Sequence, residues 1–324
     1  MAPLVSVICL CYNHASFVES AITSVLNQTY LNVEIIIVDD YSTDESISLL
    51  HSLVNRFPRI RFINNESNIG MCRSFNKAFK EVKGEYIIDF SCDDLMAPNR
   101  IEDQVAAFVT LDERYGVVFS EAYIIDEQGT ELGTFYKRTK SNELISKVPS
   151  GDVFIDLLHS YKICSPTIMI RKKVLDELSG YNELLSYEDY DLFIRSSRNY
   201  YYYYIDKPLT YYRKVKGSDS SSWYKKGINK HLESTLEICK NAVLLCKNKA
   251  EINALMHSIR YHFRQSLFVE NFELANRYYL LIKKYEAVSL LDVIVYCMSK
   301  AKLKMNFLFS GYLHIANAVR ARLK

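Results

Sequence analysis

The stretch Glu34-Ile35-Ile36-Ile37-Val38-Asp39-Asp40 decides the fold class of this chain. Its four consecutive β-branched residues predict a strand that is buried on both faces, as the strands of parallel sheets are. The paired aspartates then lie at the carboxyl end of that strand, which is where open α/β sheets bind their ligands. The stretch therefore predicts an α/β sheet with an acidic site at the carboxyl ends of its strands.

The segments on both sides continue an alternation of strands and helices. Short apolar runs predict strands, and apolar residues recurring every three or four positions predict the helices between them. We expect Ser42-Thr43-Asp44 to cap the helix that follows the paired aspartates. The alternation predicts an open, mainly parallel sheet with right-handed crossovers. The expected strands are 5–10, 34–38, 61–64, 85–90 and 116–125, and the expected helices are 16–26, 42–57, 71–82 and 98–111.

Composition and glycine placement narrow the class of protein. Of the 324 residues, 49% are hydrophobic and 24% are charged, which is typical of a soluble globular protein with a sizeable core. The first glycine is Gly70, so the first 69 residues hold neither a dinucleotide-binding fingerprint nor a P-loop. A sugar-phosphate nucleotidyltransferase, which needs a glycine-rich first loop, is disfavoured for the same reason.

The charge is divided unevenly along the chain. The formal net charge is only +2, which argues against a dedicated nucleic-acid binder, but residues 225–324 hold 17 basic against 7 acidic residues. Residues 1–224 are correspondingly acidic. The basic part lacks strand signals and has the spacing of about four helices. We therefore expect an α/β domain over residues 1–224 and a helical region over residues 225–324.

Cysteine usage and the lack of targeting signals favour the cytoplasm. The eight cysteines are scattered and form no C-x-x-C pair, as expected of buried thiols in a reducing compartment. No basic segment followed by an apolar one is recognised at the N-terminus, so no secretory signal is expected. No uncharged stretch reaches the roughly 18–20 residues that span a bilayer.

Three acidic pairs are candidates for chemistry: Asp39-Asp40, Asp93-Asp94 and Glu188-Asp189. Each pair could simply cap a helix or lie solvated in a turn. Alternatively, carboxylates suit Mg²⁺ or Mn²⁺ bound together with a diphosphate, and one carboxylate can act as a general base toward an attacking hydroxyl. Two pairs at the ends of parallel strands and a third downstream favour a metal-assisted transfer from a nucleotide-activated substrate.

Many blocks in the correct order resemble the family 2 glycosyltransferases of GT-A fold. Residues 34–44 are similar to the family's strand followed by Asp-Asp-Gly-Ser-Thr-Asp. The resemblance covers residues 3–215. It implies inverting transfer of a sugar from UDP-hexose or UDP-N-acetylhexosamine to a glycan hydroxyl. The other matching blocks are 5–8, Tyr12-Asn13, 21–30, Asn68-Ile69-Gly70, Asn76, 84–87, Asp93-Asp94, 180–183, 188–192 and Tyr212-Arg213.

The resemblance implies a role for each matching residue near the nucleotide. Leu10, Cys11 and Tyr12 would line the nucleotide pocket, and Asp40 would face the base. Arg73 falls near the pyrophosphate region, where it either contacts a phosphate or lies on a solvated helix face.

The resemblance also assigns the metal and the base. Asp93 would contact the ribose or the metal, and Asp94 would coordinate the Mn²⁺ or Mg²⁺ ion that grips the diphosphate. Asp189 would be the base of a single inverting displacement. Glu188 and Arg213 are candidate contacts to the donor or the acceptor, and Arg213 together with the 218–222 loop is a candidate closure over the donor.

The chain departs from the family pattern at three places. Leu10-Cys11 replaces the usual Pro-Thr before Tyr-Asn, Tyr41 replaces the glycine after the paired aspartates, and Ser91 replaces the first acid of Asp-x-Asp-Asp. A bulky Tyr41 would reshape the base pocket. The change at Ser91 leaves one acid fewer near the metal.

The basic end of the chain suggests a membrane contact. Residues 300–324 carry six basic residues, no acid and several large apolar residues, so they form either a helix packed on the catalytic domain or an amphipathic helix on an anionic membrane. Enzymes of the resembling type build surface polysaccharide on lipid-linked acceptors, which favours the membrane. The rival functions are a nucleotidyltransferase, a glycoside hydrolase and a nucleotide-sugar-binding protein without transfer activity.

Overall fold

A computed structural model describes residues 2–215, 226–227 and 229–307. The chain divides into two compact units. The sheet unit comprises Met1–Phe154, Lys162–Leu184 and Glu188–Val215, and the helical unit comprises Ile155–Tyr161, Leu185–Tyr187 and Lys216–Lys324. The boundary predicted between residues 224 and 225 and the 218–222 loop lie outside the described residues.

The sheet unit is built on one mixed sheet whose strand order is β3-β2-β1-β4-β8-β6-β9-β5, with β7 paired to β6. Strands β3, β2, β1 and β4 are mutually parallel, and β8 joins them antiparallel to β4. The strands are β1 Val5–Cys11, β2 Val33–Asp39, β3 Ile60–Asn64, β4 Tyr86–Ser91, β5 Leu95–Met96, β6 Tyr115–Ile125, β7 Glu131–Thr134, β8 Met169–Arg171 and β9 Tyr201–Arg213.

Helices connect these strands and continue into the helical unit. The helices of the described residues are α1 Val18–Leu26, α2 Ser46–Arg56, α3 Met71–Phe79, α4 Arg100–Thr110, α5 Phe154–His159, α6 Lys172–Leu178, α7 Glu188–Ser197, α8 Lys230–Leu245, α9 Lys249–Phe268, α10 Phe272–Tyr285 and α11 Leu290–Lys300. The predicted alternation over the first 125 residues is confirmed, and so is the helical C-terminal region.

Helices cover both faces of the parallel strands, which explains their unbroken apolar sequences. All seven residues of β1 are buried, and so are the last five of β2. Val7 and Cys9 of β1, Ile35 and Ile37 of β2 and Ile88 of β4 belong to the same core cluster. Burial of this apolar surface is the main stabilising contribution to the unit.

One helix boundary was predicted too early. Helix α2 begins at Ser46, not at Ser42, because Ser42 and Thr43 bond to Asn13 in the loop that follows β1. Of the three residues expected to cap the helix, Asp44 does so, since its Oδ1 accepts from Ser46 N at 3.0 Å. The segment after β6 adds a strand to the sheet, because β7 pairs antiparallel with the end of β6.

Within residues 229–307 the structure has four helices, α8–α11, in line with the about four helices predicted for residues 225–324. Asn248 and Asn271 cap α9 and α10 by accepting the backbone N–H of Glu251 and Leu274. Among the described residues, no helix combines the length and apolar character needed to cross a membrane. Of the predicted basic segment 300–324, residues 308–324 lie outside the part that the structure describes.

Candidate active site

The carboxyl ends of β1, β2 and β4 meet at one edge of the sheet, as the parallel register requires. Cys11 pairs with Asp39, and Leu10 pairs with Ser91. The Leu10 and Cys11 side chains are buried, and their carbonyls accept from Cys92 N and Asp40 N at 2.9 Å. The Tyr12 ring is nearly half exposed. Of these three predicted nucleotide contacts, Tyr12 has a side chain that a ligand can reach. Leu10 and Cys11 instead link the ends of neighbouring strands through their carbonyls.

Asp40 organises the loop between β3 and α3. Its Oδ1 accepts from Ile69 N at 2.9 Å and from Asn65 Nδ2 at 3.0 Å, and its Oδ2 accepts from Gly70 N at 2.8 Å. The residue is 6% exposed. Each carboxylate oxygen thus has a partner within the protein. This network fixes residues 65–70 beside the end of β2.

Asp39 and Asn13 fix the neighbouring loop. Asp39 accepts from the backbone N and hydroxyl of Ser42 at 2.8 and 2.6 Å, and Asn13 Oδ1 accepts from Thr43 N at 2.7 Å. Tyr41 lies between them with a φ of 65°. This left-handed conformation favours glycine and is strained for a bulky residue. The hydrogen bonds of Asp39 and Asn13 hold the Tyr41 backbone in it. The half-exposed Tyr41 ring narrows the approach to this loop.

The turn after β4 is held by Arg213, the last residue of β9. Arg213 Nε donates to Asp93 O at 2.7 Å, and Nη1 donates to Asp126 O at 2.9 Å and Glu127 O at 3.2 Å. The guanidinium also lies 4.7 Å from the centre of the Phe17 ring. Arg213 N donates to Asp94 Oδ1 at 2.7 Å. The guanidinium is therefore bound by protein carbonyls, and Arg213 fixes both aspartates of the turn.

Asp93 and Asp94 differ in environment. The Ser91 hydroxyl donates to Asp93 Oδ1, and Asp93 is half-buried, whereas Asp94 is 2% exposed. Burial raises the pKa of Asp94 well above its usual range, and the Asp93 charge adds to this effect. The hydrogen bond from Arg213 N and the charges of Arg100 and Arg213 oppose this shift, and burial lowers the pKa of Arg100 itself to about 10. Asp93 is therefore the more accessible acid of the pair.

Glu188 and Asp189 begin α7, where the partial positive charge of the helix N-terminus stabilises carboxylates. Both are half-buried, and Asp189 Oδ1 accepts from Tyr190 N at 2.7 Å. Burial raises the pKa of Tyr212, and the charges of Asp94, Asp93 and Asp189 all raise it further. The fold thus gathers the predicted metal acids and the predicted base around Tyr212.

A fourth acid, Asp89, was missed by the sequence reasoning. Tyr181 Oη donates to Asp89 Oδ2 at 2.8 Å. Burial raises the pKa of Asp89 to about 6; the Tyr181 hydrogen bond opposes this, and the Asp189 charge adds to it. Asp89 is an acid within the largely apolar strand β4, and an acid in such a strand is the feature of the sequence that could have marked it as a site residue. Its proximity to Asp189 places it in the same site.

The loop that carries Tyr181 is fixed by α3. Asn76 Oδ1 accepts from Tyr181 N, and Asn76 Nδ2 donates to Tyr181 O, both at 2.9 Å. Arg73 Nε lies 3.4 Å from Glu183 Oε2, with both side chains about half exposed. Arg73 and Asn76 also line a cavity of about 480 Å³ together with residues 178–179, 181–184 and 195. Arg73 is thus partly exposed at this cavity, and its guanidinium is paired with Glu183.

The chain matches the glycosyl transferase family 2 model over residues 6–179 and belongs to that family. A Haemophilus influenzae protein named as an uncharacterized glycosyltransferase is 29% identical over 94% of each chain. A Rickettsia felis protein with the same description is 34% identical over 60% of this chain, and the match spans 32% of that longer protein. The chain is therefore a glycosyltransferase.

Solved structures with the same fold have low sequence identity. Staphylococcus aureus TarS 1-349 with UDP-GlcNAc superposes with a TM-score of 0.67 at 19% identity, covering 92% of this chain and 88% of that one. The mannosyltransferase PcManGT from Pyrobaculum calidifontis, with GDP-Man and Mn²⁺, gives 0.57 at 15% identity over 93% and 80%. The predicted GT-A fold is confirmed.

Proposed function

We propose that this glycosyltransferase moves a sugar from a nucleotide diphosphate sugar to a hydroxyl of a glycan acceptor, with inversion at the anomeric carbon. The observation that carries the proposal is the acidic turn at the carboxyl end of β4, where Arg213 bonds to both Asp93 and Asp94. Asp189, in the first turn of α7, is close enough for its charge to act on Tyr212 together with theirs. One pair follows a parallel strand, and the third acid begins a helix. In this proposal a donor lies over the strand ends, with its diphosphate at Asp93 and Asp94 and its anomeric carbon toward Asp189.

The nucleotide lies against the β1 and β2 ends in this proposal. The exposed Tyr12 ring stacks on the base, and Tyr41 borders it. Asp40 acts through the loop that it holds, because its oxygens bind Asn65, Ile69 and Gly70. Arg73 approaches the diphosphate once it leaves Glu183. We put UDP-hexose or UDP-N-acetylhexosamine first, in line with the UDP-GlcNAc that TarS binds.

The carboxylates at the end of β4 fit a divalent ion that binds together with the nucleotide sugar. No group of three or more acidic, histidine or cysteine residues suited to a metal occurs among the described residues. Mg²⁺ and Mn²⁺, however, commonly bind one or two carboxylates together with substrate phosphates. Asp93 offers an accessible carboxylate, and Asp94 lies behind it. When bound, the ion would supply positive charge to the diphosphate. PcManGT is described in complex with GDP-Man and Mn²⁺.

Asp189 is the base in the proposed transfer. It takes the proton of the acceptor hydroxyl while the acceptor oxygen bonds to the anomeric carbon. The bond from that carbon to the diphosphate oxygen breaks on the opposite face, and the nucleotide diphosphate leaves. Glu188, next to Asp189 in the chain, is the candidate for a hydrogen bond to another hydroxyl of the acceptor. Arg213 is a positioning residue, because its guanidinium holds the Asp93 carbonyl.

The acceptor that we propose is a lipid-linked glycan of a surface polysaccharide, elongated at the cytoplasmic face of the membrane. The support is the basic character of residues 225–324, which suits a surface with anionic lipids. Peripheral contact through residues 300–324 is part of this proposal.

Nucleotide diphosphate release tests the proposal directly. The full chain is incubated with UDP-GlcNAc, UDP-glucose or GDP-mannose and Mn²⁺, with and without acceptor glycans, and free UDP or GDP is measured. We expect release with at least one donor, its loss on chelation, and at least a hundredfold loss of turnover in Asp189→Asn. Asp93→Asn should weaken Mn²⁺-dependent donor binding, and unchanged affinity would contradict its role.

Asp112→Asn is the matched control, because it removes an exposed carboxylate that pairs with Arg114. It should leave release unchanged. Absence of nucleotide binding and release with every donor would refute the donor assignment, and full activity of Asp189→Asn would refute the base. A product that keeps the anomeric configuration of the donor would exclude a single inverting displacement.

A further inference from the structure

Helix α11 presents an apolar face that the rest of the described chain does not cover. Leu290 is 78% exposed, and Leu291, Val293 and Ile294 are also exposed. At about 100° per residue, these positions together with Cys297 and Ala301 form one continuous face of the helix. Exposed aliphatic residues are normal when single, but a contiguous face of this kind marks an interaction surface.

The opposite face of α11 is anchored, so the apolar face is fixed in its outward orientation. Asp292 is buried, accepts from Arg260 Nε at 3.1 Å and forms a capping box with Ser289. Tyr296 stacks on Tyr279 of α10 with ring centres 3.9 Å apart. The helix therefore cannot rotate to bury its leucines without breaking these contacts.

The segment after α11 extends the same kind of surface. Leu303 and Phe307 are exposed, and the segment is held because Asn306 Nδ2 donates to Phe268 O at 3.1 Å. Five lysines of α10, α11 and the segment after α11 are also exposed. The two acids between residues 283 and 307 are Glu286 and Asp292, and both pair with Arg260. The lysines are 283, 284, 300, 302 and 304.

We propose that the α11 face binds an anionic lipid bilayer surface, with the leucines and isoleucine entering the headgroup boundary and the lysines near the phosphates. Exposed aliphatic residues combined with lysines are the pattern of interfacial helices. A second copy is disfavoured, because a two-fold contact would bring the lysines of both copies together. Residues 308–324 carry the three basic residues Arg320, Arg322 and Lys324 and no acid, so they add to the positive charge of this part of the chain.

This inference rests on the membrane part of the proposed function and extends the contact from residues 300–324 to α11. The test is flotation of the full chain with vesicles of phosphatidylglycerol and phosphatidylcholine, and with phosphatidylcholine alone. We expect binding to the anionic vesicles that falls between about 0.05 and about 0.5 M salt. The triple change Leu290→Ser, Leu291→Ser and Ile294→Ser should lower the partition coefficient at least tenfold.

The matched control is the triple change Leu31→Ser, Val109→Ser and Leu244→Ser, which removes equally exposed aliphatic side chains outside α11. It should bind vesicles like the wild type. Any of three outcomes would overturn the proposal: no binding to anionic vesicles, equal binding by the α11 variant, or a dimer in sedimentation that the α11 variant abolishes. UDP or GDP release is measured in parallel, so failure of membrane binding with intact release is distinguishable from failure of the transferase assignment.

Discussion

Replacing the buried Arg213 with methionine should destabilise the sheet unit much more than the same change at an exposed arginine. The guanidinium makes three hydrogen bonds to carbonyls at 2.7, 2.9 and 3.2 Å. A hydrogen bond to a charged group contributes about 1.5–3 kcal/mol, and the loss of several is partly offset by water and relaxation. Contact with the Phe17 ring adds about 1 kcal/mol. We therefore expect a loss of about 4–5 kcal/mol.

The measurement is thermal unfolding of the purified chain followed by circular dichroism, together with donor binding. A loss of about 4–5 kcal/mol lowers the melting temperature of a unit of this size by about 10 °C or more. Arg213→Lys keeps the charge but cannot reach all three carbonyls, so it should recover about half of the loss. Donor affinity should fall with stability, because the turn that carries Asp93 loses its anchor.

Arg114→Met is the control for this prediction. Arg114 also makes two side-chain hydrogen bonds, to Asp112 at 3.1 and 2.9 Å, but both side chains are mostly exposed. Water screens an ion pair between exposed side chains, so this pair adds little stability, and the variant should melt within about 3 °C of the wild type. If Arg213→Met melted as close to the wild type as Arg114→Met does, the anchoring role assigned to Arg213 would be wrong.

Two further substitutions test the acidic site and its loop. Asp89 keeps its proton up to about pH 6 in the folded protein but only to its usual value of 3.8 when unfolded, so its contribution to stability falls as pH rises across that window. Asp89→Asn should therefore melt above the wild type at pH 8 and with it below about pH 4; an equal difference at both would contradict the shift. Gly180→Ala places a methyl carbon 2.3 Å from Asn76 Oδ1 at a φ of +73°, so it should lower the melting temperature by about 5 °C or more, and an unchanged melting curve would show that Asn76 moves freely.

The parallel half of the sheet could be predicted from sequence because its signal is local. Strand β2 contains an apolar run whose length matches one buried strand, and the acids at its end must then lie at the carboxyl edge. The position of Arg213 could not be predicted in this way. Its partners Asp93 and Asp126 are about 120 and 87 residues away in the chain, and only the tertiary pairing of β9 with β6 and β5 brings them together.

The loop around Tyr41 shows a second limit. The sequence correctly marks residue 41 as a departure from the usual glycine, and the structure gives it the positive φ that glycine would adopt. Local propensity alone argues against that conformation. The bonds from Ser42 to Asp39 and from Thr43 to Asn13 supply the opposing energy. The strain is therefore a property of the loop pair, and no single residue of the sequence reveals it.

The acid that is absent at Ser91 has a neighbour that offsets the loss. Asp89 and Ser91 are two residues apart on β4, so their side chains lie on the same face of the strand. Both are half-buried, whereas the residues on the other face, Ile88 and Phe90, are fully buried. Ser91 donates to Asp93, and Asp89 lies close enough to Asp189 for the two charges to interact. The face of β4 that leads to the site therefore still carries a carboxylate, one pleat further from the turn. Burial raises the pKa of that carboxylate to about 6, although the hydrogen bond from Tyr181 opposes the shift, so the charge on this face of β4 changes near that pH.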